Sequence, residues 1–392
     1  MTPTRSAART FAALALAPDS RIQLFDLQRQ RARLETDIRA RMDQVLAHGQ
    51  FILGPEVDLL EKRLAAYAGA RHAIAVSSGR DALMIALMAM GVGKGDAVFV
   101  PAFTFAATAG AVASVGAMPV FVDVDPATFN MDPTDLRRAL AEVKVDGHFV
   151  PRVVMPVDLY GLPANYDAIS IIAESAGVTM LADAAQSFGG AVGDERVGAL
   201  APISATSFYP TKPLGCYGDG GAILTENDDL AEAVRTIRSH GRQGTGDEAV
   251  RLGLTGRLDT LQAAILLAKL AVFDEELARR REIAMRYDGM LYRSVTVPAI
   301  PEDYESAFAL YTIRVPAKDR DRIRADLENA GIGTGLFYRL ALHQHPAFKQ
   351  MNQRPLPVAE QLAGEVISLP IHPDLRDDEV ERIVAGVKAA VS

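Results

Sequence analysis

The chain has 392 residues, of which 49% are hydrophobic and 23% are charged, and its net charge is −8. This length and composition predict a folded protein with a large core and two lobes, and the acidic balance excludes a general basic surface for nucleic acid or an anionic membrane. The single cysteine, Cys216, excludes an internal disulfide and is typical of a reducing cytoplasm, where we expect the protein to act.

The N-terminal 20 residues combine two early arginines with a short apolar run, residues 11–17. An export signal is one interpretation, but the apolar run is short and the chain that follows has the character of a cytoplasmic enzyme. We therefore expect residues 1–20 to be a disordered leader. No apolar run approaches the length needed to span a bilayer, so we expect no membrane partner.

Two amphipathic stretches, residues 24–49 and 57–69, predict helices on either side of a break at residues 49–55. Short apolar segments then alternate with helical stretches as far as residue 225. The apolar segments are AIAVSS, AVFVPA, PVFVDV, RVVMPVD, TMLADA, ATSFY and GAILT. Alternation of this kind predicts βαβ units and an α/β fold, with a mostly parallel sheet covered by helices on both faces.

Beyond about residue 226 the pattern changes to one long helical stretch centred on residues 259–287. A strand at YTIRVP and helices at DRIRADLENAG and DDEVERIVAGVKAAV follow it. We predict a large α/β domain over residues 21–270, including the N-terminal helices, and a smaller C-terminal α+β domain over residues 271–392.

Ligands of such sheets bind at the carboxyl ends of the strands, so polar residues at strand ends are candidates for a site. Gly79 and Arg80 separate the first strand from a helix, whose N-terminus is suited to a phosphate. Phe105 follows the second strand, where an aromatic ring is able to stack on a planar ligand. Asp183 ends an apolar strand, and a carboxylate there is costly unless it pairs with a cation or a protonated ring.

Lys212 lies in the loop TSFYPTKPLGCYGDGGA, between two prolines and a run of glycines, with Ser207 shortly before it. A lysine held in such a loop is partly desolvated, which lowers its pKa and makes the amine a nucleophile. A lysine for a carbonyl carbon, an acid for a ring nitrogen, an aromatic for a ring face and donors for a phosphate together match what pyridoxal 5'-phosphate requires of a protein.

The motifs DAAQSFG, TSFYPTKPLGCYGDGGAI, RSHGR and RLDTLQAAILLAKL resemble the DegT/DnrJ/EryC1/StrS family of sugar aminotransferases, which are fold-type-I pyridoxal phosphate enzymes. With FDLQRQRARL and HGQFILGPEV, the resemblance covers residues 24–373. It implies that Lys212 carries the cofactor, with a catalytic role, and that Asp183 pairs with the ring nitrogen. The other cofactor contacts that it implies are Gln186 near the ring hydroxyl, Phe105 on the ring face, and Ser207 with the backbone of Gly79 and Arg80 at the phosphate.

The resemblance also implies a homodimer with shared active sites, in which residues 254–259 of one subunit reach the other subunit's cofactor. Thr255 stands where relatives commonly have an asparagine that binds the phosphate across the dimer, and Arg80 stands where threonine is usual. Glutamate is the expected amino donor, 2-oxoglutarate its product, and pyridoxamine phosphate the form of the cofactor between the two half-reactions. The expected acceptor is a nucleotide-diphosphate keto-sugar.

Within the family the likeness is strongest to enzymes that aminate C3 of UDP-2-acetamido-2-deoxy-3-oxo-glucuronate for bacterial O-antigen and lipopolysaccharide. The residues that we expect to bind the sugar and diphosphate are Arg257, Tyr338, Arg339 and His343. Phe337 replaces a histidine of the 3-oxo-uronate enzymes, which leaves a 3- or 4-keto-6-deoxysugar linked to dTDP, UDP or GDP as an alternative acceptor.

Functions of other classes have weaker support. Asp123 and Asp125 resemble the DxD metal site of nucleotide-sugar glycosyltransferases, although acidic residues before a proline also cap turns. His343 and His345 lack a nearby third ligand, and apart from the DxD alternative we predict no metal. The glycine runs at residues 91–95 and 331–335 follow helices rather than strands, which disfavours a dinucleotide-binding enzyme. A cofactor-binding regulator without catalysis is a third alternative.

Overall fold

The computed structural model describes residues 21–244, 247–351 and 354–392, so the predicted leader at residues 1–20 lies outside the described residues. The two N-terminal helices are present, and glycines in the left-handed conformation end both of them (φ of 72° at Gly49 and 71° at Gly69). The helices are α1 (Leu27–His48), α2 (Pro55–Ala68), α3 (Gly79–Ala89), α4 (Ala106–Ser114), α5 (Pro133–Asp146), α6 (Tyr166–Ala176), α7 (Asp228–Ile237), α8 (Thr260–Leu270), α9 (Phe273–Leu291), α10 (Arg320–Asn329), α11 (Pro357–Glu365) and α12 (Asp377–Val391).

A seven-stranded sheet forms the centre of the molecule, as the alternating pattern predicts. The strands of the described residues are β1 (His72–Val76), β2 (Asp96–Pro101), β3 (Met118–Val122), β4 (Val150–Val154), β5 (Thr179–Asp183), β6 (Ala191–Val192), β7 (Glu195–Arg196), β8 (Ile203–Ser207), β9 (Gly221–Thr225), β10 (Tyr304–Glu305), β11 (Tyr311–Arg314) and β12 (Val366–Leu369). The central sheet has the order β1-β9-β8-β5-β4-β2-β3. Strand β9 runs antiparallel to both of its neighbours and the other pairs are parallel, so the prediction of a mostly parallel sheet is confirmed.

Helices cover both faces of this sheet, which explains why its strands are nearly continuous apolar runs. On one face, Leu83 of α3 and Val112 of α4 belong to the same buried cluster as Val98 of β2. On the other face, Leu136 of α5 and Ile169 of α6 pack in a second cluster.

The helical region predicted around residues 259–287 consists of two helices. Helix α8 ends at Leu270 and α9 begins at Phe273, with Val272 between them at φ −116°, outside helical values. Three acidic residues in the first turn of α9 stabilise the new helix start through the helix dipole. The prediction of a helical region is therefore confirmed, and the region contains two helices.

A smaller C-terminal layer contains the antiparallel pair β11 and β12, packed with α9, α10 and α12 around a core of its own. The chain does not stay in this layer. Gly335 pairs with Ser368 of β12. Seven residues later, the Leu342 N–H donates at 2.7 Å to the carbonyl of Ala102, the residue that follows β2. Apolar residues of the segments 341–351 and 356–366 then pack on the central sheet. The predicted boundary at residue 270 stays a prediction. None of the described helices has the length and hydropathy needed to cross a membrane.

Candidate active site

A cavity of about 440 Å³ opens at the edge of the sheet where the parallel strands end. Its volume lies in the range of roughly 300–1,000 Å³ that is typical of ligand pockets. The residues that line it are Ser78, Gly79, Arg80, Leu83, Thr104, Phe105, Ala107, Thr108, Val157, Asp183, Ala185, Gln186, Ser207, Tyr209, Thr211, Lys212, Asp219, Phe337 and Tyr338.

Asp183 is the buried carboxylate of this cavity, with 4% of its surface exposed. It accepts hydrogen bonds from the Thr108 hydroxyl at 2.7 Å and from the Ala185 N–H at 3.3 Å. Burial raises the pKa of Asp183, while the two donors and the charge of Lys212 oppose that rise. A cation that entered the cavity would favour the ionised form of this carboxylate.

Lys212 faces the same cavity from the loop between β8 and β9. The loop is tight, because its Lys212 N–H donates to the Tyr209 carbonyl at 2.9 Å and a Cβ on Gly215 would lie 2.6 Å from the Pro210 carbonyl oxygen. Desolvation of the amine lowers the pKa of Lys212 to about 8, and the charge of Asp183 acts in the opposite direction. About a tenth of the amine is therefore unprotonated at pH 7, far more than in a lysine of ordinary pKa, and the unprotonated amine is the nucleophile.

The N-terminus of α3 forms another wall. Ser78 caps this helix by accepting the Asp81 N–H at 3.0 Å, and a Cβ on Gly79 would lie 2.5 Å from the Cβ of Ser207. Only glycine allows the helix start to approach Ser207 this closely. The first N–H groups of a helix have no acceptor within it, so this corner is suited to an anion. The Arg80 guanidinium instead donates to the Ser114 hydroxyl at 2.7 Å.

Aromatic side chains stand at the mouth. Phe105 is 58% exposed, and its ring centroid lies 6.1 Å from that of Tyr338 at an interplanar angle of 33°. Gln186 is buried behind them, where its amide donates to the Tyr338 hydroxyl at 3.3 Å and accepts the Tyr160 N–H at 2.9 Å. The cavity thus combines an open aromatic face with a fixed polar floor.

Four residues predicted from the sequence do not line this cavity in a single subunit. The exposed Thr255 contacts the His240 ring at 3.1 Å, and both Arg257 and Arg339 lie outside the cavity lining. His343 pairs with Glu360 at 3.0 Å. Its side chain is 9% exposed, and the sugar-binding role of His343 stays a prediction.

Asp123 and Asp125, predicted as an alternative metal site, have backbone partners instead. The Asp123 carboxylate accepts the N–H groups of Val358 and Ala359 at 3.0 and 2.8 Å, which holds the start of α11 on the sheet. Asp125 accepts two N–H groups of the turn that follows it. Among the residues that the structure describes, no three His, Cys, Asp or Glu side chains are grouped as metal ligands would be.

The sequence analysis missed two polar residues of this region. Thr108 lies in the first turn of α4, where nothing in the local sequence links it to Asp183. Asp158 follows β4 and is fully buried behind Asp183. The signal that identified Asp183, a carboxylate that ends an apolar strand, also applies to Asp158.

Comparisons with known proteins cover this whole region. A family model described as the DegT/DnrJ/EryC1/StrS aminotransferase family matches residues 32–388. The chain is similar to the UDP-2-acetamido-2-deoxy-3-oxo-D-glucuronate aminotransferase of Pseudomonas aeruginosa, with 45% identity over 93% of this chain and 99% of that protein. It is similar to the crystal structure of a DegT DnrJ EryC1 StrS aminotransferase from Brucella abortus, with a TM-score of 0.93 and 45% identity over 95% of this chain and 100% of that one. NtdA from Bacillus subtilis, solved with bound cofactor PMP, has a TM-score of 0.87 and 30% identity over 95% of this chain and 85% of that one.

Proposed function

This chain belongs to the DegT/DnrJ/EryC1/StrS aminotransferase family and is thereby a pyridoxal phosphate-dependent aminotransferase; from that premise we propose that it transfers an amino group from glutamate to a nucleotide-linked keto-sugar. The observation that carries the proposal is the meeting of Lys212 and Asp183 in one cavity. The amine has a lowered pKa, and the carboxylate is buried with room for a cation before it.

The residues present fit the cofactor. We propose that Asp183 holds the ring nitrogen, that Phe105 covers the ring face, and that Gln186 lies near the ring hydroxyl. The start of α3 at Gly79 and the hydroxyl of Ser207 are suited to the phosphate. When bound, pyridoxal phosphate supplies an electron sink for the carbanion at the donor's α-carbon.

The protein's own chemistry in this scheme is proton transfer by Lys212. Its Nζ accepts the proton from the α-carbon of glutamate in the first half-reaction and delivers a proton to the sugar carbon in the second. A pKa of about 8 suits both tasks, because the amine is then present in both protonation states near neutral pH. Asp183 keeps its negative charge opposite a protonated ring nitrogen throughout.

A dimer with shared sites is part of the proposal, because Thr255 and Arg257 lie outside the cavity of their own subunit. Ile52 of the loop between α1 and α2 pairs with Asp259 at the end of the same segment. The neighbouring side chains of this loop are apolar and exposed: Phe51 by 47%, Ile52 by 46% and Leu53 by 39%. An exposed apolar patch beside Thr255 and Arg257, the polar residues outside the cavity, is what a self-complementary interface requires.

For the acceptor we propose UDP-2-acetamido-2-deoxy-3-oxo-glucuronate, aminated at C3 for a bacterial surface polysaccharide, because the relative with 45% identity carries that activity in its name. The uronate carboxylate needs a cation, and the Arg80 guanidinium is occupied by Ser114. Arg257 of the partner subunit would supply it, with Tyr338 and Arg339 near the sugar. The apolar ring of Phe337 in the cavity lining favours the alternative, a 3- or 4-keto-6-deoxysugar linked to dTDP, UDP or GDP.

The test is an absorption spectrum of the purified protein with pyridoxal phosphate, before and after glutamate is added, followed by borohydride reduction and peptide mapping. We expect a band near the visible edge that glutamate moves to shorter wavelength, and cofactor attached to Lys212. Lys269 is a matched control, because burial also lowers its pKa to about 8 while it lies over the Tyr217 ring, outside the cavity.

Two variants complete the design. Lys212→Ala should lose turnover by about 10²–10⁴-fold, the range for removal of a general acid–base group, whereas Lys269→Met should keep the spectral change. Full turnover by Lys212→Ala, or labelling of Lys269 instead, would refute the assignment. A panel of UDP- and dTDP-keto-sugars with and without a C6 carboxylate then separates the two acceptors.

A further inference from the structure

A second buried carboxylate, Asp158, lies directly behind the one that faces the cavity. It follows β4, the neighbour of β5 in the sheet, and its N–H donates to the Asp183 carbonyl at 3.1 Å. The residue is 0% exposed and lies outside the cavity lining. A buried carboxylate lowers stability unless it is well paired, so its presence beside Asp183 requires a physical reason.

Three donors converge on the two oxygens of this carboxylate. They are the Ala164 N–H at 2.8 Å, the Tyr166 hydroxyl at 2.8 Å and the Ser187 hydroxyl at 2.6 Å. This arrangement suits the ionised form, which only accepts hydrogen bonds. Burial raises the pKa of Asp158 to about 7 against these donors, and the charge of Asp183 adds to the rise.

Hydrogen bonds in both directions also connect the segment that contains Asp158 with the turn after β5. Ser187, which donates to Asp158, lies with Gln186 in the turn that follows Asp183. The Gln186 side chain in turn accepts the N–H of Tyr160, two residues after Asp158. The position of Asp183 therefore depends on contacts that Asp158 makes.

We propose that Asp158 is a positioning residue that acts on the cofactor ring through Asp183, by fixing the end of β5 that carries Asp183 and by adding negative charge that favours a protonated ring nitrogen. The two carboxylates repel each other, and a proton on the ring nitrogen in front of Asp183 relieves that repulsion. The inference rests on the proposed function, because it assumes that Asp183 holds the ring nitrogen.

The experiment compares two ligands of the full-length protein stripped of cofactor, at a pH well above 7 so that Asp158 is ionised. One is pyridoxal phosphate, and the other is its analogue with carbon in place of the ring nitrogen, which has no such proton. Asp158→Asn keeps the shape of the side chain and removes its charge. We expect the preference for pyridoxal phosphate over the analogue, measured as a ratio of dissociation constants, to fall about tenfold, equivalent to one pKa unit at the ring nitrogen, with little change in affinity for the analogue.

Ser187→Ala is the matched control at this pH, because it removes a hydrogen bond to Asp158 while the carboxylate stays ionised. It should weaken both ligands alike and keep the ratio. An Asp158→Asn protein whose ratio equals that of the wild type would show a purely structural role and overturn the inference. The proposed function is tested separately by Asp183→Asn, which should abolish the preference. If that variant keeps the preference, or the wild type binds no pyridoxal phosphate, the role of Asp183 itself fails.

Discussion

Replacing Asp123 by alanine tests whether this residue anchors α11 or belongs to a metal site. Its carboxylate accepts the N–H groups of Val358 and Ala359 at the first turn of α11, and also the N–H of Val124 at 3.0 Å. Asp123 is 6% exposed, so water does not easily replace it. Loss of a helix cap together with unsatisfied buried N–H groups should lower the free energy of unfolding by about 2–4 kcal/mol.

The assay is urea unfolding followed by circular dichroism, with and without EDTA and Mn²⁺. Asp125→Ala is the matched control, because its two N–H partners lie in an exposed turn, and we expect it to cost about 1 kcal/mol or less. Neither variant should respond to metal. The capping argument would be refuted if Asp123→Ala had wild-type stability. It would also be refuted if Mn²⁺ restored, and EDTA abolished, the activity of this variant.

Three further predictions concern the site and its surroundings. Thr108→Val removes the hydroxyl that donates to Asp183, so the pKa of Asp183 should rise further and kcat should fall about tenfold, with Thr108→Ser retaining activity; a pH–rate profile checks this. An equal mixture of inactive Lys212→Ala and Arg257→Ala subunits, reassociated at random, should regain about a quarter of the wild-type sites if the dimer shares them, and no recovery would contradict sharing. Burial lowers the pKa of His372 to about 4, so between pH 4 and its usual pKa of 6.5 the unfolded chain binds more protons than the folded one. The free energy of unfolding should therefore fall as pH drops through this window. His372→Gln should flatten that fall in unfolding titrations.

The sheet and the central pair of the site were predictable because each leaves a local pattern. Apolar strands that alternate with helices specify a parallel sheet, and a parallel sheet brings its strand ends to one edge. The sequence therefore predicts that Asp183 and Lys212 lie together at that edge, and both line the cavity there. The start of α3 was also predictable from the sequence, since a serine and a glycine between strand and helix indicate an N-cap.

Contacts between distant parts of the chain left no such pattern. Thr108 reaches Asp183 from a helix 75 residues earlier, and Asp123 caps a helix whose first residues lie more than 230 positions later. Such pairs are set by the packing of whole elements, which periodicity does not encode. Thr255 and Arg257 differ again, because they do not line the cavity of this chain.

The path of the chain around Tyr338 has a mechanical consequence. Before Tyr338 in the chain, Gly335 is hydrogen-bonded to Ser368 of β12. After Tyr338, Leu342 is hydrogen-bonded to Ala102, which follows β2. Tyr338 thus sits midway along a short tether whose two ends belong to different sheets, with its hydroxyl held by Gln186. A rotation of the small layer against the large one would pull on this tether, and it would therefore also move the Tyr338 ring at the mouth of the cavity.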